Sequence, residues 1–269
     1  MRGFSVLMIL GFLAAGTTAS ATVITIQTQT QVTVEKNQAR ISVGVTNKGD
    51  EPAYNIRIAT EIDGKLKSTP LKDTLQVNET YTADLASALD FAKPGKYPAV
   101  ITVDYTDRNQ YPFTATSIGY IDFKEKSVGR VVGEVVPARL SAHGRVTVKV
   151  KNLEQADHSF DVRLVLPKEF KGPDLMKTVK IPSGEEQVLN FDIQNISALQ
   201  GSRYEIFAVV AYEDEKLHYS NALNGVIEVI QKESFVKIYR KPLIVLSVLL
   251  AGIILFLNLR RKWGSPRAR

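Results

Sequence analysis

The body of this chain repeats itself, and no other sequence feature restricts its fold as much. Arg40–Asn47 reads RISVGVTN, and 105 positions later Arg145–Asn152 reads RVTVKVKN. Three further pairs follow in the same order at offsets of 106 or 107: Tyr54–Ile58 with Phe160–Leu164, Val103–Asp107 with Val210–Asp214, and Gly119–Phe123 with Gly225–Val229. Matches in one order at a nearly constant offset indicate two homologous domains.

Each repeat is built from short runs in which apolar and polar residues alternate. Ile41–Thr46 and Val146–Val150 show this alternation. A period of two is typical of β-strands with one buried face. The sequence therefore predicts an all-β protein with two tandem domains, residues 22–124 and 125–231. Each has the length of an immunoglobulin-like β-sandwich.

Two tyrosines occupy equivalent places in the repeats. Tyr97 and Tyr204 each stand at the start of a long, late, apolar strand. An aromatic residue in this position is typical of a tyrosine corner, whose hydroxyl bonds back to the backbone upstream. We therefore predict that the hydroxyls of Tyr97 and Tyr204 bond to the backbone at the edge of their sandwiches.

A second shared mark is a strand that ends at Asn47 or Asn152, followed by a strand with Asn-Ile-Arg-Ile or Asp-Val-Arg-Leu. This pattern resembles the CARDB and NEW3 groups of immunoglobulin-like domains on bacterial and archaeal cell surfaces, over nearly all of residues 25–231. The resemblance implies an extracytoplasmic interaction or spacer module and carries over no catalytic residue. The second repeat departs from the Asn-x-Gly turn by having Glu154, which predicts a longer hairpin there.

The first 21 residues have the pattern of a secretory signal peptide. Arg2 gives a charged start, an apolar run follows, and small residues end at Ala21. This pattern predicts cleavage, with a mature chain that begins near Thr22. The alternative, an uncleaved first transmembrane helix, has a short apolar core. The chain has no cysteine, which excludes disulfides and thiolate metal ligands.

An apolar stretch near the other end predicts a membrane anchor. From Leu243 to Leu259, 17 residues carry no charge. This run predicts a transmembrane helix over 242–259, after a juxtamembrane segment at 232–241 and before a basic tail at 260–269. A buried helix of a soluble domain is disfavoured because no polar face is present. Interface anchors are expected from the flanking aromatic and basic residues Tyr239, Arg260, Arg261, Lys262 and Trp263.

The charge balance agrees with this orientation. The chain has 34 basic and 28 acidic side chains, but six of the basic ones lie in the signal and the tail. The excess charge therefore belongs to the predicted ends and not to residues 22–241. Basic residues after the apolar run predict a cytoplasmic C-terminus, with both domains outside the cytoplasmic (inner) membrane. A neutral body also argues against nucleic acid as a partner.

The sequence offers little catalytic chemistry. His143, His158 and His218 lack the spacing of metal ligands, and neither a nucleophile motif nor a glycine-rich phosphate loop is present. We therefore predict a protein that is not an enzyme, with no catalytic, cofactor-binding or metal-binding residues and no small-molecule substrate.

Two residue sets leave alternatives open. Acidic residues near the late strands suit either solvated turns or a calcium site: Asp104, Asp107, Asp122, Asp214 and Glu215. Tyrosines on the same strands suit either the core or a sugar-stacking platform: Tyr105, Tyr111, Tyr120, Tyr212 and Tyr219.

The resulting hypothesis is a single-pass membrane protein that presents two immunoglobulin-like domains to another envelope component. Its expected partner is another membrane or envelope protein, or a surface glycan. The alternative is an accessory subunit of a membrane transport, secretion or translocon complex, and a third reading is a protein that binds or processes surface glycans. The distal domain carries a long loop at 61–73 and is expected to contact the partner, with residues 128–231 as a stalk.

Overall fold

The computed structural model describes residues 23–231 and 235–263. The predicted signal peptide, 1–21, lies outside the described residues, as do 232–234 and 264–269. The chain divides into two compact units, Met1–Lys126 and Ser127–Arg269. The predicted boundary at residue 124 lies two residues before this division.

The described residues of the first unit form eight strands. They are β1 (Ile26–Glu35), β2 (Gln38–Asn47), β3 (Ala53–Ile62), β4 (Lys65–Ser68), β5 (Lys72–Leu75), β6 (Thr80–Ala88), β7 (Gly95–Thr106) and β8 (Pro112–Phe123). One sheet has the order β1–β2–β6. In the other, β3 pairs with β4 and β5 on one side and with β7 on the other, and β8 pairs with β7. This division of strands is that of an immunoglobulin-like sandwich.

The core of the first unit lies between its two sheets. Alternation in β2 buries Ile41, Val43 and Val45 completely, and Ile101 and Phe123 meet them from the facing sheet. Each such side chain contributes about 1.5–3 kcal/mol when fully buried. The stretch predicted as a loop over 61–73 is partly strand instead, because β4 folds back on β3 through a turn in which Asp63 and Gly64 have positive φ.

The described part of the second unit forms nine strands and one helix. They are β9 (Val131–Val136), β10 (Ala138–Leu140), β11 (His143–Asn152), β12 (His158–Val165), β13 (Phe170–Lys171), β14 (Met176–Ile181), β15 (Glu186–Asn195), β16 (Arg203–Glu213), β17 (His218–Val229) and α1 (Phe235–Trp263). One sheet has the order β13–β15–β11–β9. The other contains β14, β12, β16 and β17, with β10 pairing in parallel with β17. The all-β immunoglobulin-like prediction is therefore confirmed.

The first strand is placed differently in the two units. In the first unit, β1 pairs with β2 along its whole length, from Ile26 to Glu35. In the second unit, β9 stops at Val136, Pro137 follows, and β10 joins the opposite sheet. Proline has no N–H to donate, so it ends the antiparallel ladder at this point. The residue at the corresponding place in the first unit, 105 positions earlier, is Val32.

The helix α1 begins at Phe235, seven residues before the predicted start at 242, and it includes Pro242. Of the residues that the structure describes, none forms a helix whose length and apolarity together suffice to cross a membrane. The span over 242–259 therefore stays a prediction. Tyr239 is about half exposed, at 45%. Arg260, Arg261, Lys262 and Trp263 lie in the last turn of α1, and their side chains are outside the description.

Candidate functional site

A buried asparagine at the end of the second strand holds the turn that follows it. In the first unit, Asn47 is fully buried, and its Nδ2 donates to the carbonyls of Glu51 at 2.7 Å and Leu75 at 3.3 Å. Its Oδ1 accepts from the backbone N–H of Gly49 at 3.0 Å. The side chain thereby satisfies three backbone groups from two segments, the turn itself and the end of β5, as buried polar groups require.

The second unit repeats this arrangement. Asn152 is also fully buried, and its Nδ2 donates to the carbonyls of Ala156 at 2.9 Å and Ile181 at 3.0 Å. Its Oδ1 accepts from the N–H of Glu154 at 2.9 Å. The connections 48–52 and 153–157 are both five residues long. The prediction of a longer hairpin in the second unit is therefore wrong, because the asparagine side chain sets the turn and the glycine does not.

The two turns differ in what covers their third residue, counted from the asparagine as the first: this is Gly49 in the first unit and Glu154 in the second. A Cβ on Gly49 would lie 2.1 Å from the carbonyl oxygen of Val23 and 2.7 Å from the backbone nitrogen of Thr25. Only glycine fits there, because the segment before β1 crosses the turn and accepts from Lys48 at 2.7 Å and Asp50 at 3.0 Å.

In the second unit, Glu154 extends from the equivalent position to a buried tyrosine. The hydroxyl of Tyr212 donates to Glu154 Oε1 at 2.6 Å and accepts from the N–H of Arg130 at 3.1 Å. That N–H also approaches Glu154 Oε1 at 3.0 Å. Burial of the phenol, and then its hydrogen bond to Glu154, raise the pKa of Tyr212 above its ordinary value. Tyr212 is thus held as a neutral donor.

Aromatic rings surround Tyr212. It stacks on Tyr219 with ring centroids 4.7 Å apart, and it lies 4.9 Å from both His158 and Phe160. The Tyr219 hydroxyl donates to Asp214 Oδ2 at 2.8 Å. Tyr212 belongs to the core and Tyr219 packs against it, which favours the core interpretation of these two tyrosines over an exposed sugar platform.

The other tyrosines of that set lie in the first unit and are partly buried. Tyr105 stacks on Phe113 with centroids 5.5 Å apart, and Tyr111 lies 5.4 Å from the same ring. The Lys96 ammonium lies 3.9 Å from the ring centroid of Tyr120, a cation–π distance.

The predicted corner tyrosines both bond to the backbone. The Tyr97 hydroxyl donates to the carbonyl of Lys93, four residues upstream, at 2.8 Å. The Tyr204 hydroxyl accepts from the N–H of Leu199, five residues upstream, at 3.2 Å. The rings are packed as well: Phe91 stacks on Tyr97 at 3.6 Å, and Phe170 meets Tyr204 edge-on at 5.1 Å.

The acidic residues considered for calcium act mainly in turns. Asp107 Oδ1 accepts from the N–H groups of Asn109 and Tyr111, both at 2.8 Å. Asp214 Oδ1 accepts from those of Lys216 and Leu217, both at 2.7 Å. Asp104 accepts from the Thr114 hydroxyl at 3.2 Å. Within residues 23–231 and 235–263, no three His, Cys, Asp or Glu side chains are arranged to hold a metal ion.

The histidines take separate roles. His143 borders an open groove of about 440 Å³ in the second unit, together with Gly144, Lys171, Gly172, Pro173, Asp192, Ile193 and Gln194. His158 packs on Tyr212, and His218 Nδ1 lies 3.2 Å from Glu213 Oε1. The structure therefore does not bring the three histidines together.

A second groove lies at one end of the first unit, between the end of β1 and the end of β8. Its volume is about 500 Å³, and it is lined by Val34, Lys36, Asp122, Lys124, Glu125 and Lys126. The lining contains three lysines and two acidic residues, so its net charge is slightly positive.

These features define the class of the protein: tandem immunoglobulin-like sandwiches whose most specific polar groups hold turns and corners. Residues 19–109 match the family model of the CARDB domain, which is a non-catalytic immunoglobulin-like family. The CARDB resemblance predicted from sequence is therefore confirmed over these residues. No curated protein matches the chain.

Solved structures align with the chain at low identity. Native Escherichia coli alpha-2-macroglobulin aligns at 9% identity and a TM-score of 0.30, covering 77% of this chain and 17% of that chain. A protein of unknown function from Porphyromonas gingivalis W83 aligns at 10% identity and a TM-score of 0.32, covering 76% and 99%. Red sea bream transglutaminase aligns at 8% identity and a TM-score of 0.24, covering 77% of this chain and 31% of that chain. The chain spans only 17% and 22% of the two E. coli macroglobulin structures, and none of these similarities bears on function.

Proposed function

We propose that this protein is a non-catalytic binding module, held at the cytoplasmic membrane by α1, with both immunoglobulin-like units on the outer side. The carrying observation is that one turn of α1, Leu243–Leu246, is apolar on every side. The consecutive residues Leu243, Ile244, Val245 and Leu246 are 44%, 54%, 59% and 54% exposed. At 100° per residue, these four positions encircle the helix. A helix of this kind is suited to lipid and not to water.

The length of the apolar run favours a short membrane segment. Seventeen uncharged residues rise about 25 Å, against a hydrocarbon core of about 30 Å. Lysine and arginine flank the run in the sequence on both sides. The aliphatic stems of such residues let a short apolar run fit a thicker bilayer, because the charges at their ends reach the interface.

The outward orientation is supported by the two ends of the sequence. The signal-type pattern at 1–21 directs export, and basic residues after the apolar run favour the cytoplasmic side. The CARDB match of residues 19–109 agrees, because this is an extracellular-type domain. The non-catalytic part of the proposal is supported by the way the polar side chains of both units are used: Asn47, Asn152, Asp107 and Asp214 hold turns.

Membrane attachment is tested by placing a charge in the middle of α1. Leu249→Lys should weaken insertion, since a lysine at the bilayer centre costs about 2.5–3.5 kcal/mol. The matched control is Leu66→Lys, which puts the same charge at an exposed leucine of β4. We expect wild type and Leu66→Lys to stay in membranes after a carbonate wash and Leu249→Lys to be released. Wild-type protein in the soluble fraction would refute the anchor.

The orientation and the partner class need separate measurements. Protease added to intact spheroplasts should digest both units if they stand outside. Purification in mild detergent then separates the binding role from the alternative. Stoichiometric recovery of multispanning proteins would place the chain in a transport, secretion or translocon complex, whereas retention of an envelope protein without them supports the binding module.

A further inference from the structure

The second unit shows how this sandwich seats a strand on the edge of its last strand. The segment Ala138–Leu140 runs parallel to Ile227–Val229, and the N–H of Ile230 donates to the carbonyl of Leu140 at 2.9 Å. Ala138 and Leu140 turn their side chains into the core, where they are 7% and 2% exposed. The edge of β17 is thus covered by a short strand with alternate apolar residues.

The same edge in the first unit is not covered in this way. Ile121–Phe123 of β8 corresponds to Ile227–Val229, at the offset of 106. Within the described residues of the first unit, β8 shares a ladder with β7 alone, while β1 packs beside it through side chains: a Cβ on Gly119 would lie 3.2 Å from Thr30 and 3.5 Å from Val32. The residues that would take the place of β10 are Thr33–Glu35, and they remain paired with β2. No proline stands at Val32 to release them.

The groove of about 500 Å³ is lined from both of these places, by Val34 of Thr33–Glu35 and by Asp122 of Ile121–Phe123. Val34 forms one apolar wall, and it packs against the core of the unit. Asp122 comes from the uncovered stretch of β8. The rim carries Lys36, Lys124 and Lys126, and the Lys124 ammonium lies 4.7 Å from the ring centroid of Phe123.

We propose that this groove binds an extended segment of a partner polypeptide, which adds to β8 as a parallel strand. Its backbone bonds to the edge of β8 at Ile121–Phe123, as β10 bonds to β17 in the second unit. Apolar side chains at alternate positions face Val34, and acidic ones face the three lysines. Main-chain bonds supply affinity in this mode of recognition, and the side chains on either face supply specificity. The inference rests on the proposed role as a binding module and names the chemistry of its partner.

The test uses the full chain in mild detergent and a fluorescent peptide in which valine alternates with aspartate over eight residues. We expect saturable binding by fluorescence anisotropy. Lys36→Glu combined with Lys126→Glu should weaken it at least tenfold. The control, Lys65→Glu combined with Lys67→Glu, makes the same charge change on the exposed strand β4 and should leave the affinity unchanged.

Two further measurements separate strand addition from charge attraction. A peptide N-methylated at every second residue keeps its charge but loses main-chain donors, and it should bind at least tenfold more weakly. Bound unmethylated peptide should slow amide hydrogen exchange within Ile121–Phe123. Neither measurement alters the protein, so misfolding of a variant does not confuse the result.

Three outcomes would overturn the inference: no binding of the peptide, equal binding by the methylated peptide, or equal weakening by the β4 control. A dimer in sedimentation that the Lys36/Lys126 variant dissociates would overturn it too, because a second copy of the chain would then occupy the groove. Membrane retention is measured separately, so failure of the groove leaves the proposed anchor intact. Release of wild type by carbonate would instead refute the anchor.

Discussion

The turns at Asn47 and Asn152 share one side-chain arrangement and differ in what surrounds it. Each asparagine donates to two carbonyls and accepts one N–H two residues later. The third residue of the turn is Gly49 in one unit and Glu154 in the other. A backbone segment lies on Gly49, whereas Glu154 reaches Tyr212. The asparagine is therefore what the turn itself needs, and the neighbouring strand decides the third residue.

A further contrast lies in the first strand of each unit. Pro137 ends one ladder and sends Ala138–Leu140 to the opposite sheet, whereas Val32 lets β1 continue beside β2. The proline at this one position thus accompanies a last-strand edge that is covered by a strand of the same unit. This difference is the basis of the groove proposed for a partner.

The largest loss of stability is expected when the asparagine that both turns share is replaced. Asn47→Ala and Asn152→Ala should each cost about 3 kcal/mol, because two buried carbonyls lose their donor. Each loss should be confined to its own unit. Hydrogen exchange resolved by peptide measures this, with the exposed Asn224→Ala as control. A loss in only one unit would show that the two turns are not energetically equivalent.

The second test concerns the residue that differs. Gly49→Ala should destabilise the first unit by about 2 kcal/mol, since its Cβ meets backbone that has no rotamer to change. The amides of Lys48 and Asp50 should lose protection from exchange, because both donate to the segment before β1. Glu154→Ala is the matched change in the second unit, where a side chain already has room. Unchanged protection in Gly49→Ala would contradict the close approach.

A third test addresses the hydrogen bond between Tyr212 and Glu154, which belongs to the second unit. Tyr212→Phe removes the bonds to Glu154 and Arg130 and should cost about 1.5 kcal/mol at neutral pH. The native pKa of Tyr212 is raised, so its contribution is fully present below the unfolded value, about 10, and falls as pH rises above it.

Alkaline denaturation tests whether the stability contributed by Tyr212 falls as the pH rises. Wild type should lose up to about 1.4 kcal/mol per pH unit above pH 10 through this residue. Tyr212→Phe should be less sensitive to pH in the second unit, while the first unit behaves alike in both proteins. Equal alkaline sensitivity in the two proteins would remove Tyr212 as the cause.

The smallest expected effect is at the corners, where the two units resemble each other but use the hydroxyl in opposite ways. Tyr204→Phe should cost about 1 kcal/mol and Tyr97→Phe about 0.5 kcal/mol. Tyr204 is the more buried of the two rings, and its hydroxyl accepts from an N–H, whereas the hydroxyl of Tyr97 donates to a carbonyl. Denaturant midpoints of the two variants give the order. A larger loss at Tyr97 would reverse this reading of the corners.

Sequence reasoning succeeded where the signal was local. The alternation around Ile41 and Val146 predicted buried strands, and the repeat predicted two matching sandwiches. It failed at Glu154, where the missing glycine suggested a longer hairpin. The asparagine before it was recognised as a mark of the repeat, but its bonds were not, since Leu75 and Ile181 are 28 and 29 residues away.

The sequence by itself determined the strands, their repetition and the positions of Tyr97 and Tyr204, because period-two burial and turn residues act over a few neighbours. Only the tertiary structure decided which sheet receives the first strand and what covers the third residue of each turn. Glu154 and Tyr212 are 58 residues apart, and they meet because both sheets close around one core. Contacts of that kind depend on strand order and register, which no short window of residues contains.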